Sequence, residues 1–133
     1  MSHLTTHVLD TTHGRPAPGI AVTLADATGA VVARGTTDGD GRVRALGPDR
    51  LAPGEWTLSF ATGAYWAALG AAAFHPRVDV VLTVPGATAV PDAQPDAEAA
   101  DAGAATVPEG QPDAHLHVPL LLSPFAYSTY RGS

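Results

Sequence analysis

The sequence predicts a mainly β protein, an antiparallel two-sheet β-sandwich with one short helix. Three observations predict it. Short β-branched runs with period-two alternation recur along the chain, as in "IAVTLAD" (20–26) and "RVDVVLTV" (77–84). Turn-forming clusters such as "ATGA", "DGDG" and "GPDR" separate them. Only "ATGAYWAALG" (61–70) reads as a helix, alanine-rich and ended by Gly70. Many short strands with few helical residues leave two packed sheets as the way to bury one core.

The elements follow in order. "HLTTHVLD" (3–10) begins a strand, with His3, Thr5, His7 and Leu9 on one face. "THGRPAPG" is a loop, broken by Gly14, Pro16, Pro18 and Gly19. Residues 20–26 and 30–37 form a hairpin across "ATGA". "DGDG" turns the chain into a short strand at 42–46, with Arg42 and Arg44 on one face. Strands at 55–60 and 77–84 flank the helix. After a long interruption come "HLHVPLLLS" (115–123) and "FAYSTYR" (125–131).

That interruption, residues 85–113, is built from Ala, Pro, Asp, Glu and Gly, without an aromatic residue. It cannot bury enough apolar surface to offset its ordering entropy, so it is expected to be a disordered loop inserted in a single domain of residues 1–133. Closing a long loop costs entropy that grows only logarithmically with length, so the strands on either side can share one sheet system.

Composition excludes several classes. The formal net charge is −6, and residues 85–113 hold six acids (Asp92, Asp96, Glu98, Asp101, Glu109, Asp113) and no base. The remainder balances seven acids against seven arginines, leaving no basic excess for nucleic acid. There is no cysteine, hence no disulfide framework and no thiolate metal site. No apolar run approaches the roughly 20 residues of a membrane span. "MSHLTTHVLD" lacks the charged and apolar regions of a secretory signal, and the ending is not a peroxisomal address. A soluble, cytoplasmic protein is expected.

Few motifs carry chemistry. In "HLHVPLLL", His115, His117, Pro119 and Leu121 share one face, while Leu116, Val118, Leu120 and Leu122 share the other, which is core. The H-x-H pair can be a half-exposed structural pair, or two ligands of a metal whose remaining ligands come from elsewhere. "TTDGDGR" resembles a calcium loop only through Asp38, Asp40 and Gly41; no glutamate closes it, so a hairpin turn is the better reading. There is no G-x-S-x-G elbow, P-loop or dinucleotide fingerprint, so serine-triad hydrolysis has no support.

Together, "THVLDTTHGRPA", the Gly-Arg after the central turn, "AYWAALG…FHP" and "HLHVPLLLSPFAYSTYRGS" resemble the transthyretin-like family, in particular its enzymatic branch, the 5-hydroxyisourate hydrolases. The resemblance covers nearly the whole chain except 85–113. It implies an eight-stranded sandwich with one short helix, assembled as a homotetramer (a dimer of dimers) with sites between dimers. It implies hydrolysis of 5-hydroxyisourate to 2-oxo-4-hydroxy-4-carboxy-5-ureidoimidazoline in urate catabolism, with no metal and no cofactor.

Carried over residue by residue, the resemblance makes His7, Arg42 and His117 catalytic, and Tyr130, Arg131, Gly132 and Ser133 substrate-binding. His115 is expected at the edge of the site or outside it. Tyr130 and Arg131, one step apart on an expected strand, should point to opposite sides, Arg131 toward a carboxylate or a chain terminus. Leu116 and His75 stand where an aromatic is usual, which should affect packing more than chemistry.

The residue types suit the reaction. Opening a cyclic amide needs an activated water, a stabiliser for the oxyanion and an acid for the leaving nitrogen. Histidines suit the first and third roles and an arginine the second. Two alternatives remain: a transthyretin-type small-ligand carrier on the same fold, and a metal-binding sandwich using His115 and His117.

Overall fold

The computed structural model describes residues 3–85 and 115–132. Nine strands and one helix follow in the order β1 (Leu4–Asp10), β2 (Arg15–Pro16), β3 (Ala21–Ala25), β4 (Val31–Thr36), β5 (Arg42–Val43), β6 (Gly54–Phe60), α1 (Thr62–Ala68), β7 (Val78–Val84), β8 (Leu116–Leu122) and β9 (Tyr127–Thr129). One sheet runs β2-β1-β8-β9, with β5 also paired to β1; the other runs β4-β3-β6-β7. Most of the expected acidic loop, residues 86–113, lies outside the described residues.

The sandwich is as expected, with two differences. Two of the nine strands are two-residue pairings on one side of β1. One pair is parallel: β1 lies beside β8 from Leu4↔Leu116 to Asp10↔Leu122. Hairpins force antiparallel neighbours, but these two strands come from opposite ends of the chain and no short turn constrains their direction.

Alternate residues make the core. Leu4 and Val8 of β1 and Leu120 and Leu122 of β8 are buried with Val22 and Leu24 of β3 and Leu58 and Phe60 of β6. The opposite faces of β1 and β8 carry Thr5, His7, His115 and His117, the polar side of the same alternation. Expected bounds shrink at several ends. The strand expected at 42–46 keeps only Arg42 and Val43, because Arg44 turns to Asp38 and Asp40 (3.2 and 3.4 Å). The strand expected at 125–131 keeps only Tyr127–Thr129.

Helix α1 is anchored by Trp66, which is 1% exposed and meets Tyr65 edge-on at 5.0 Å. Burying an aromatic of this size stabilises the fold by about 3 kcal/mol. The helix ends where Ala71 N–H donates to the Trp66 carbonyl across Gly70.

A buried carboxylate ties α1 to the end of β1. Asp10 Oδ2 accepts from the Tyr65 hydroxyl (2.7 Å) and His13 Nδ1 (2.6 Å), and Oδ1 accepts the backbone N–H groups of Thr12 and His13 (both 2.9 Å). Burial pushes the Asp10 carboxyl up, but the bonds from Tyr65 and His13 outweigh it and hold the group below the usual carboxylate range. A depressed carboxylate contributes stability that is complete above the unfolded value of about 3.9 and is lost as pH falls through the folded value. Asp10→Asn, which leaves buried donors poorly matched, should cost about 1–3 kcal/mol at pH 7. In urea titrations the gap from the parent protein should narrow as pH drops below about 4; a gap independent of pH would mean that the charge contributes nothing.

Candidate active site

Sheet register brings the expected catalytic residues together. On one side of β1, His7 pairs with Arg42 of β5; on the other, Thr5 pairs with His117 of β8. Thr5, Thr6, Arg42, Val43, Arg44, His115 and His117 line one open cleft. His7 lies close enough to feel the charge of Arg42 and to act on His117.

Gly41 makes this placement possible. Its φ is +74°, and an added Cβ would collide with the Val8 carbonyl. Without a side chain, the turn presses against β1 and the Gly41 carbonyl accepts the Val8 N–H at 2.7 Å. Asp38 closes the turn by accepting the N–H groups of Asp40 (2.9 Å) and Arg42 (3.0 Å). The Asp-Gly-Asp-Gly segment is thus a turn that delivers Arg42.

The histidine rings are held from behind. The main chain of Asp40 lies near the His7 ring and favours its protonated form. Nδ1 of His117 lies 2.9 Å from the Thr5 hydroxyl, which also lies 2.7 Å from Nε2 of His115. His115 therefore lines the cleft at its exposed rim rather than standing apart from it.

Both central histidines are pushed below their ordinary value of about 6.5. For His7 the causes are burial and then the Arg42 guanidinium, opposed by the Asp40 carbonyl and the Asp40 and Asp38 charges. For His117 they are burial, Arg42, His115 and His7. Both shifts favour the neutral ring, the form in which a histidine can take a proton from water.

The closing tetrapeptide divides. Gly132 N–H donates to the His117 carbonyl at 2.8 Å, and a Cβ there would stand 2.7 Å from Cδ2 of the His117 ring. Tyr130 and Arg131 line a second cleft that shares His117, with Val80–Thr83 of β7 and Leu116 and Val118 of β8. β9 ends at Thr129, so strand alternation does not extend to these two residues. Ser133 lies outside the described residues.

Elsewhere, His75 sits in an aromatic row, edge-on to Phe74 (4.8 Å) and Tyr127 (5.0 Å), a packing role as expected. His3 is buried and accepts the Leu51 N–H at 2.8 Å. Among the described residues, no three His, Asp or Glu side chains converge to hold a metal ion. Sequence reasoning missed Thr5. Its signal was its place on the His7 face of the first strand, but that it meets the H-x-H pair follows only from the parallel pairing.

The sequence matches the profile of the HIUase/Transthyretin family over residues 4–90 and 105–132. The chain belongs to that family. The stretch left unmatched, 91–104, falls inside the acidic segment. Among relatives in the family, the 5-hydroxyisourate hydrolase of Ralstonia nicotianae is 39% identical, over 100% of both chains. That of Caulobacter vibrioides is 36% identical, again over 100% of both. That of Mus musculus is 36% identical, over 99% of this chain and 96% of its own. The fold is similar to Klebsiella pneumoniae 5-hydroxyisourate hydrolase (TM-score 0.74, 28% identity, 100% of this chain and 94% of that one). It is equally similar to transthyretin from Sparus aurata (TM-score 0.75, 26% identity, 99% of this chain and 97% of that one).

The Gly132 contact yields a sharp test. In Gly132→Ala the new methyl must displace the His117 ring, so turnover should fall by at least about tenfold while far-ultraviolet circular dichroism stays that of the parent. Near-normal turnover would mean that the chain end yields and the ring stays in place.

Proposed function

We propose that the protein hydrolyses 5-hydroxyisourate to 2-oxo-4-hydroxy-4-carboxy-5-ureidoimidazoline, opening a cyclic amide by direct attack of water. The observation that carries this reading is the meeting of His7, Arg42 and His117 on three adjacent strands, with Arg42 and His117 lining one cleft. Full-length relatives named 5-hydroxyisourate hydrolase support it. One neutral histidine takes a proton from water as the oxygen attacks the carbonyl carbon. The Arg42 guanidinium stabilises the oxyanion, and an imidazolium gives a proton to the leaving ring nitrogen as the C–N bond breaks. The chemistry as written calls for no metal or cofactor. A carrier is the second reading, since the same sandwich is found in transthyretin from Sparus aurata. Two depressed histidines that both feel one arginine suit proton transfer better than passive binding.

The test is the ultraviolet decay of freshly generated 5-hydroxyisourate against its spontaneous rate. The protein should accelerate the decay, and His7→Ala, Arg42→Ala and His117→Ala should each lower turnover by at least about tenfold. Arg42→Ala also removes a cause that depresses both histidines, so the acid limb of its residual activity should move to higher pH. No acceleration by the parent protein would sink the reading.

The working unit is a homotetramer, a dimer of dimers with sites between dimers. Within one chain Tyr130 and Arg131 line a cleft that shares His117 but does not include Arg42. A partner chain can bring these closing residues, with Ser133, to the substrate. Sedimentation should give a tetramer, and a fully active monomer would refute the assembly.

A further inference from the structure

The two histidines of the H-x-H pair face the same way from one strand, yet their ring centroids are 6.2 Å apart, too far for a direct hydrogen bond. One atom joins them. The Thr5 hydroxyl lies 2.9 Å from Nδ1 of His117 and 2.7 Å from Nε2 of His115. Thr5 is 8% exposed, His117 half-buried and His115 exposed, so the chain of atoms runs from the cleft to its rim. The arrangement follows from register: Thr5 lies opposite His117 in the parallel pair, and His115 is the next residue back on the same face.

A hydroxyl has one hydrogen to donate and lone pairs to accept. Placed between two imidazole nitrogens, it donates to one and accepts from the other. If Thr5 donates to His115, then His117 carries its hydrogen on Nδ1 and its Nε2 lone pair is free to act as a base. If the hydrogen bonds reverse, Nε2 of His117 is protonated. The two patterns interconvert by moving two hydrogens along the chain.

We propose that Thr5 is a positioning residue that fixes the tautomer of His117 through its hydroxyl bridge to His115. The proposal rests on the hydrolytic reading above. The Thr5 hydroxyl donates to Nε2 of His115 and accepts the Nδ1 proton of His117, so Nε2 of His117 holds the lone pair that takes a proton from the attacking water. That proton passes on to the leaving ring nitrogen as the C–N bond breaks, which returns Nε2 to its free lone pair, and the new carboxylic acid ionises to solvent. Each atom ends with its proper valence, and no oxidant or reductant is needed.

The experiment compares Thr5→Val, which keeps the shape and branching of threonine without its hydroxyl, with Thr5→Ser, which keeps the hydroxyl. Thr5→Val should lower kcat by about tenfold with little change in KM, and Thr5→Ser should recover most of that loss. His115→Gln should lower kcat to a similar extent, and the double variant Thr5→Val/His115→Gln should be no slower than Thr5→Val. The charged and titratable groups facing His117 are Arg42, His7 and His115, and the first two are intact in every variant. A second readout needs no substrate: in ¹⁵N-histidine spectra Thr5→Val should change the tautomer ratio of the His117 ring and Thr5→Ser should not. The proposal is overturned if Thr5→Ser is as slow as Thr5→Val, if the double variant multiplies the two losses, or if the tautomer ratio in Thr5→Val is that of the parent. Should the parent protein fail to open 5-hydroxyisourate, the functional reading falls by itself, and the spectra still decide the role of Thr5.

Discussion

The candidate site depends on the register of β1. This strand receives β5 on one side and β8 on the other, and the two registers together place Arg42 beside His7 and Thr5 beside His117. Side chains on a strand alternate, so a slip of one residue would turn His7 into the core and Thr6 or Val8 toward the cleft. The core forbids the slip. Leu4 and Val8 on the inner face of β1, and Leu120 and Leu122 on that of β8, are fully or almost fully buried. Positions that make the fold stable thus fix the positions that can do chemistry, through the period of a β-strand alone.

A sandwich with this division has one face of its functional sheet free for polar groups. That face is half-buried by turns and neighbouring strands, and this partial burial tunes the histidines. Full burial would require a partner for every ring nitrogen; full exposure would leave His7 and His117 at their ordinary value. The observed setting combines desolvation with a nearby guanidinium, and both act in one direction, toward the neutral ring. The Asp40 carbonyl and the acidic turn pull His7 the other way without prevailing. The turn that delivers Arg42 is also the turn that carries Asp38 and Asp40, so one short turn sets both signs of the local field.

Much of this was legible in the sequence, for identifiable reasons. Alternation in "HLHVPLLL" separated Leu116, Val118, Leu120 and Leu122 from His115 and His117, and burial divides them that way. Gly70 ended the helix near its observed close. The resemblance supplied His7, Arg42 and His117, which the sheet brings together. What was not legible is non-local. Period two says which face a residue takes but not which strand lies beside it, so the parallel partnership of β1 and β8, and with it the hydroxyl bridge from Thr5, was out of reach. The course of the chain after Thr129 was out of reach for a different reason. Ladder bonding to β8 stops there, and beyond that point the backbone answers to the close approach of Gly132 to His117.

That close approach also holds the last described residues against the sheet. Here the Gly132 N–H is bonded to the His117 main chain, and the missing side chain leaves room for the imidazole. The last described residue therefore does two things to one histidine: it holds the strand that carries the ring, and it sets the space in which the ring turns. On the far side the Thr5 hydroxyl holds Nδ1. A ring gripped at its Nδ1 edge and packed at its Cδ2 edge has Nε2 as the nitrogen left to meet a substrate. The same sandwich without these two neighbours would still be a stable sandwich. What distinguishes this face is thus confined to a few side chains, on a sandwich that is shared with both a 5-hydroxyisourate hydrolase and a transthyretin.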